Sequence, residues 1–120
     1  MPDHSEVVTE YALSAENKMD DAWYDEVLRE EPYYENENTP LQKETGLLKP
    51  GFTNGGVGGA GRMKGEVDIW LLNREKKLMY AVEVKTNYGD ASYGQDQLDR
   101  AEEHFEDAGW DVLKKLLVRP

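Results

Sequence analysis

Apolar residues recur at spacings of three and four through Val7, Val8, Tyr11, Ala12, Ala15, Met19, Ala22, Trp23 and Val27. This pattern predicts an amphipathic helix or helix pair over roughly residues 5 to 30, its other face nearly all Asp and Glu. Pro32, Asn36, Asn38 and Pro40 end it. From there to Lys64 the chain holds seven of its eleven glycines, mostly in NGGVGGAG, and reads as a loop beside a short strand near Leu47 to Thr53.

The period then changes to two. In GEVDIWLLNREKKLMYAVEVKTN, two runs of alternating β-favouring residues bracket a polar NREKK turn, which predicts a hairpin. Pairing Asn73 with Leu78 across a four-residue loop sets Val67 against Val84, Ile69 against Val82 and Leu71 against Tyr80, so one face is apolar throughout. The other face carries Trp70 and Ala81, with Asp68 opposite Glu83 and Glu66 opposite Lys85. A helix follows from about Ser92 to Ala108, with Leu98, Ala101, Phe105 and Ala108 on one stripe and Gly109 at its C′ position, and WDVLKKLLV reads as a last strand. The expected fold is α/β, a mixed sheet flanked by helices in a single domain of 120 residues. Within it lie an acidic helical region (1–31), a Gly-rich loop region (41–64) and a core (65–120).

Charge alters this picture only once it is located. The net charge of -11 argues against a nucleic-acid partner, because phosphate binding draws mainly on Lys and Arg. Yet residues 1–40 carry -10 of it and residues 87–120 carry -4, whereas residues 41–86 sum to +3. There is no cysteine, which removes disulfides, thiolate zinc sites and Cys nucleophiles. No apolar run is long enough to span a bilayer and the N-terminus lacks a signal-peptide core, so a soluble cytoplasmic protein is expected, away from membranes.

The chemistry sits on the hairpin. Two carboxylates directly opposite on neighbouring strands repel unless something positive lies between them. A divalent cation relieves that repulsion, and oxygen ligands on a rigid sheet suit Mg2+ or Mn2+ better than zinc. Lys85, two residues beyond Glu83 on the same face, points its ammonium at the same space, where it can orient a water or stabilise charge developing on a phosphate. At these residues the chain resembles the PD-(D/E)XK nuclease superfamily. Asp68 in GEVDIW matches the first acid and Glu83-Val84-Lys85 in AVEVKT the second half of the motif. Within the superfamily it looks most like the virus-type replication-repair nucleases and the archaeal Holliday junction resolvases, which have a Gly-containing loop before the Asp and a Gln on the helix after the motif. Val67 stands where a proline is common before the Asp.

The resemblance covers roughly residues 50 to 118. It implies a restriction-endonuclease-like αβββαβ core. It also implies a metal held by Asp68, Glu83 and the Val84 carbonyl, Lys85 assisting the attacking water, and in-line hydrolysis of a DNA phosphodiester. The family's glutamine falls on Gln97 or Gln95; at about 100° per residue Gln97 lies nearer the apolar stripe and is preferred. Members often add a Glu from the first helix, here Glu6, Glu10 or Glu16, of which Glu10 is favoured. The resolvase likeness and the small core together imply a homodimer. The activity expected is a metal-dependent DNA endonuclease, structure-specific for junctions or flaps, in repair, recombination or viral replication. The alternative is a non-catalytic acidic module or DNA mimic that keeps the fold.

Other features take simpler readings. Gly56, Gly58 and Gly61 fit GxGxxG, but a strand rather than a helix follows, and Arg62 and Met63 replace the Lys and Ser/Thr of a Walker A loop, so no nucleotide cofactor is expected. Arg62 and Lys64 are the DNA-contacting candidates of that loop. His4 and His104 lack neighbouring His or Cys and read as surface groups. Tyr88 and Tyr93, flanking the loop after the motif, stack on bases or pack under the helix.

Overall fold

The computed structural model describes residues 3–17, 24–34 and 63–120. By its contacts the chain divides into two compact units, residues 1–31 with 67–120, and residues 32–66. The glycine loop, the strand expected near Leu47 to Thr53 and Arg62 lie outside the described residues.

The element order is α1 (His4–Glu16), β1 (Glu26–Tyr34), β2 (Met63–Asn73), β3 (Leu78–Lys85), α2 (Ala91–Asp107) and β4 (Asp111–Val118). The four strands form one mixed sheet in the order β1-β2-β3-β4. β2 and β3 are antiparallel in the expected register, including Ile69 against Val82 and Leu71 against Tyr80, with Asn73 against Leu78 closing the four-residue loop. Asn73 Oδ1 accepts from the Lys76 amide at 3.0 Å inside that loop. β3 and β4 are parallel, Leu78 against Asp111 through Lys85 against Val118, so the chain needs a crossover, which α2 supplies.

Odd and even positions of the hairpin serve different helices. Ile69, Leu71, Val82 and Val84 are buried in one cluster with Val7, Val8, Ala12 and Ala15 of α1. On the opposite face Trp70 meets Phe105 of α2 edge-on, ring centroids 5.0 Å apart. α2 buries Leu98, Ala101 and Phe105, the predicted stripe. It ends in a Schellman motif: the Trp110 amide bonds the Phe105 carbonyl, the Gly109 amide bonds the Glu106 carbonyl, and Gly109 has φ +94.

The N-terminal region corrects the expectation. The helix stops at Glu16, and Glu26–Tyr34, expected to be largely helical, is β1. Alternation is hidden there because Glu30 has φ +49, a left-handed residue inside a strand that breaks the two-residue period as a bulge does. Pro32 sits in this strand instead of ending a helix; among the described strands β1 is terminal in the sheet order, where a missing amide is tolerated. Among the described residues, no helix is long and apolar enough to cross a membrane.

Candidate functional site

The ladder between β2 and β3 runs from Asn73–Leu78 to Ile69–Val82. One residue further the side chains take over. Asp68 Oδ2 accepts the Val84 amide at 2.8 Å, and Glu83 Oε1 accepts the Asp68 amide at 3.1 Å. Each carboxylate thus occupies a backbone donor of the facing strand, which fixes both at the mouth of the hairpin. Asp68 and Glu83 are 6% and 3% exposed, the two buried charged residues among the described core.

Burial of two neighbouring acids has an electrostatic consequence. The Glu83 carboxyl is pushed up to about 7, chiefly by desolvation and then by the Asp68 charge, against the opposing pull of the Asp68 amide and of Lys85. Lys85 Nζ lies 3.7 Å from Glu83 Oε2, mostly buried itself. Gly94 on α2 makes room for it: a Cβ there would stand 3.1 Å from Lys85 Cε, 3.2 Å from Lys85 Cγ and 2.7 Å from Leu116 Cδ1.

His4, expected at the surface, belongs to this site. Asp3 caps α1 by accepting the Glu6 amide at 2.9 Å, which makes His4 the first helical residue. Its Nε2 lies 3.0 Å from Asp68 Oδ2 and 2.9 Å from the Val84 carbonyl oxygen. Both partners are acceptors, so this nitrogen carries its hydrogen and shares it between them. The sequence signal was thin, a lone His beside an Asp-x-x-Glu capping pattern; its partner Asp68 lies 64 positions along the chain.

The remaining candidates separate. Gln97 lies one helical turn beyond Gly94, half-buried, with its Oε1 buried and without a hydrogen-bond partner among the described residues. Gln95 instead donates to Asp99 at 3.0 Å on the exposed side of α2. Glu10 is exposed and lines a shallow depression along α1 with Glu6, Thr9 and Leu13, away from the buried face of Val7, Val8 and Ala12. Lys64 is exposed on β2 within the second unit. Tyr88 and Tyr93 are not packed under the helix; they are 72% and 65% exposed. His104 is half-buried, edge-on to Phe105 at 4.8 Å between ring centroids.

A small cation tests this geometry. Asp68 Oδ2 and the Val84 carbonyl oxygen converge on one point, now held by the His4 N–H, and Glu83 is the adjoining carboxylate. These are hard oxygen donors of the kind Mg2+ and Mn2+ take. Among the described residues, no group of three or more His, Asp and Glu side chains is already arranged as a metal cage, so the fit rests on the two converging oxygens plus Glu83. No protein-family model, curated protein or solved structure matches the chain.

Proposed function

We propose that this protein is a metal-dependent DNA endonuclease of the PD-(D/E)XK type on a restriction-endonuclease-like αβββαβ core. The observation that carries the reading is the convergence of Asp68 Oδ2 and the Val84 carbonyl oxygen on one nitrogen at 3.0 and 2.9 Å, with Glu83 and Lys85 alongside. Asp68, Glu83 and the Val84 carbonyl would hold Mg2+ or Mn2+, which when bound supplies charge neutralisation and Lewis acidity at the phosphate. Lys85 sets a positive charge against the negative charge that grows on the phosphoryl oxygens as water attacks phosphorus and the opposite P–O bond breaks. Gln97, whose buried Oε1 has no hydrogen-bond partner among the described residues, would be the site's glutamine. His4 holds the same two oxygens, Asp68 Oδ2 and the Val84 carbonyl oxygen, and would have to yield them to the cation. Junctions or flaps, handled by a homodimer, are the substrates that the likeness to resolvases favours.

The test is cleavage of plasmid, flap and four-way junction DNA with Mg2+ or Mn2+ by wild type, Asp68→Ala and Lys85→Ala. Each substitution is expected to lower cleavage at least about a hundredfold. Equal cleavage by all three would overturn the proposal. A second reading has its own observation: α2 presents Asp96, Asp99, Glu103, Glu106 and Asp107 to solvent, as an acidic module that mimics DNA would. Absence of cleavage, of DNA binding and of Mn2+ binding by the wild type would favour it.

A further inference from the structure

We propose that Tyr88 and Tyr93 form a base-stacking platform beside Lys85, and that the protein engages DNA through unpaired nucleotides. The inference rests on the nuclease reading for the nature of the ligand and on separate residues for its recognition. Large apolar side chains normally bury, yet these two tyrosines, six positions from end to end, are 72% and 65% exposed. Their backbone is fixed. Tyr88 opens a 3-10 turn, Tyr88–Asp90, closed by the Asp90 amide donating to Asn87 Oδ1 at 3.0 Å and by Asn87 Nδ2 donating to Asp90 Oδ2 at 2.9 Å. Tyr93 stands on the first turn of α2 with Lys85 Nζ 5.5 Å from its ring centroid. A continuous path therefore leads from Glu83 through Lys85 to an open aromatic ring.

Charge selects the kind of strand. Residues 87–120 sum to -4, and Asp90, Asp96 and Asp99 lie in the same segment as the tyrosines. Among the described residues, Arg119 is tied to the same strand end by its backbone, its amide donating to the Lys85 carbonyl at 2.8 Å. Such a surface grips duplex phosphates poorly, because that grip scales with the number of phosphates neutralised. Stacking needs a free π-face instead, and a base offers one only when it is unpaired. Exposed rings in an acidic setting thus favour single-stranded DNA, as at a flap or junction branch point, over intact duplex.

The experiment is fluorescence anisotropy with labelled oligothymidylate of about 15 nucleotides, the corresponding dT–dA duplex and the uridylate analogue, all in EDTA so that the outcome is independent of cleavage. Wild type is expected to bind the single strand about tenfold more tightly than the duplex. Tyr93→Ala and Tyr88→Ala should each weaken single-strand binding about tenfold, while Tyr93→Phe, which keeps the ring, retains it. Both sites are exposed, so circular dichroism should show folded variants. No single-strand binding, equal affinity for duplex, or alanine variants that bind like wild type would overturn the proposal, and tighter binding of the ribo-oligomer would overturn its assignment to DNA. Binding with these signatures but no cleavage would remove the nuclease reading and leave the platform standing.

Discussion

At the turn end of the β2–β3 hairpin, from Ile69–Val82 to Asn73–Leu78, residues pair in unbroken register and the side chains between the two helices are apolar. At the open end, one residue beyond, the Val84 and Asp68 amides are taken by carboxylates, and two acids are buried side by side. The same two strands therefore serve opposite ends. The first lowers the free energy of the fold; the second places like charges where water cannot screen them, held by hydrogen bonds that define their position. Local consistency fails at the mouth of the hairpin, and a conflict of this kind is what singles out a candidate site.

Substitution at the apolar region should give the largest effect. Trp70 is fully buried and edge-on to Phe105. Trp70→Ala is expected to cost about 3 to 5 kcal/mol in urea unfolding, a large part of the stability of a domain this size. A cost below about 1 kcal/mol would mean that the sheet does not depend on its contact with α2.

The charged region should behave the other way. The Glu83 carboxyl titrates at about 7, above its usual 4.5, so between those values the folded chain holds a proton that the unfolded chain has lost. Its contribution is fully present below about pH 4.5 and is lost as pH rises through about 7. In EDTA, wild type should lose about 2 to 3 kcal/mol between pH 5 and 8. Glu83→Gln keeps an oxygen for the Asp68 amide and removes the charge, so it should lose much less and be the more stable protein at pH 8. Matching pH profiles for the two proteins would show that burial of this pair costs nothing.

The two regions were also unequally legible. Hairpin register, the α2 stripe, Gly109 and β4 follow from local periodicity and turn chemistry, and with them the approach of Asp68 to Glu83. β1 was obscured because a left-handed Glu30 and Pro32 interrupt its alternation, while acidic residues on either side imitate the polar face of a helix. His4 was hidden for a different reason: its partners, Asp68 and Val84, are 64 and 80 residues away, and no spacing rule reaches so far. Gln97 and Gln95 could be told apart because helix geometry turns one inward and leaves the other to bond Asp99.

The smallest stability effect belongs to a residue that joins the two regions. Gly94 on α2 lies against the stem of Lys85, and a Cβ there would come within 2.7 Å of Leu116 Cδ1 and 3.1 to 3.2 Å of Lys85 Cε and Cγ. Leu116 can yield through its terminal methyl, and alanine favours the helix by up to about 1 kcal/mol over glycine, so Gly94→Ala should shift unfolding by no more than about 1 kcal/mol either way. Lys85 has less freedom. Its stem is touched at both Cγ and Cε, so giving way is expected to shift Nζ, now 3.7 Å from Glu83 and 5.5 Å from the Tyr93 ring centroid. On the proposed function, cleavage should therefore fall about tenfold in a protein of nearly unchanged stability, as expected when the charge proposed to face the phosphate is misplaced. A stability loss parallel to the activity loss would make Gly94 a packing residue and nothing more. An unchanged rate would show that Lys85 finds its place without the close approach of α2.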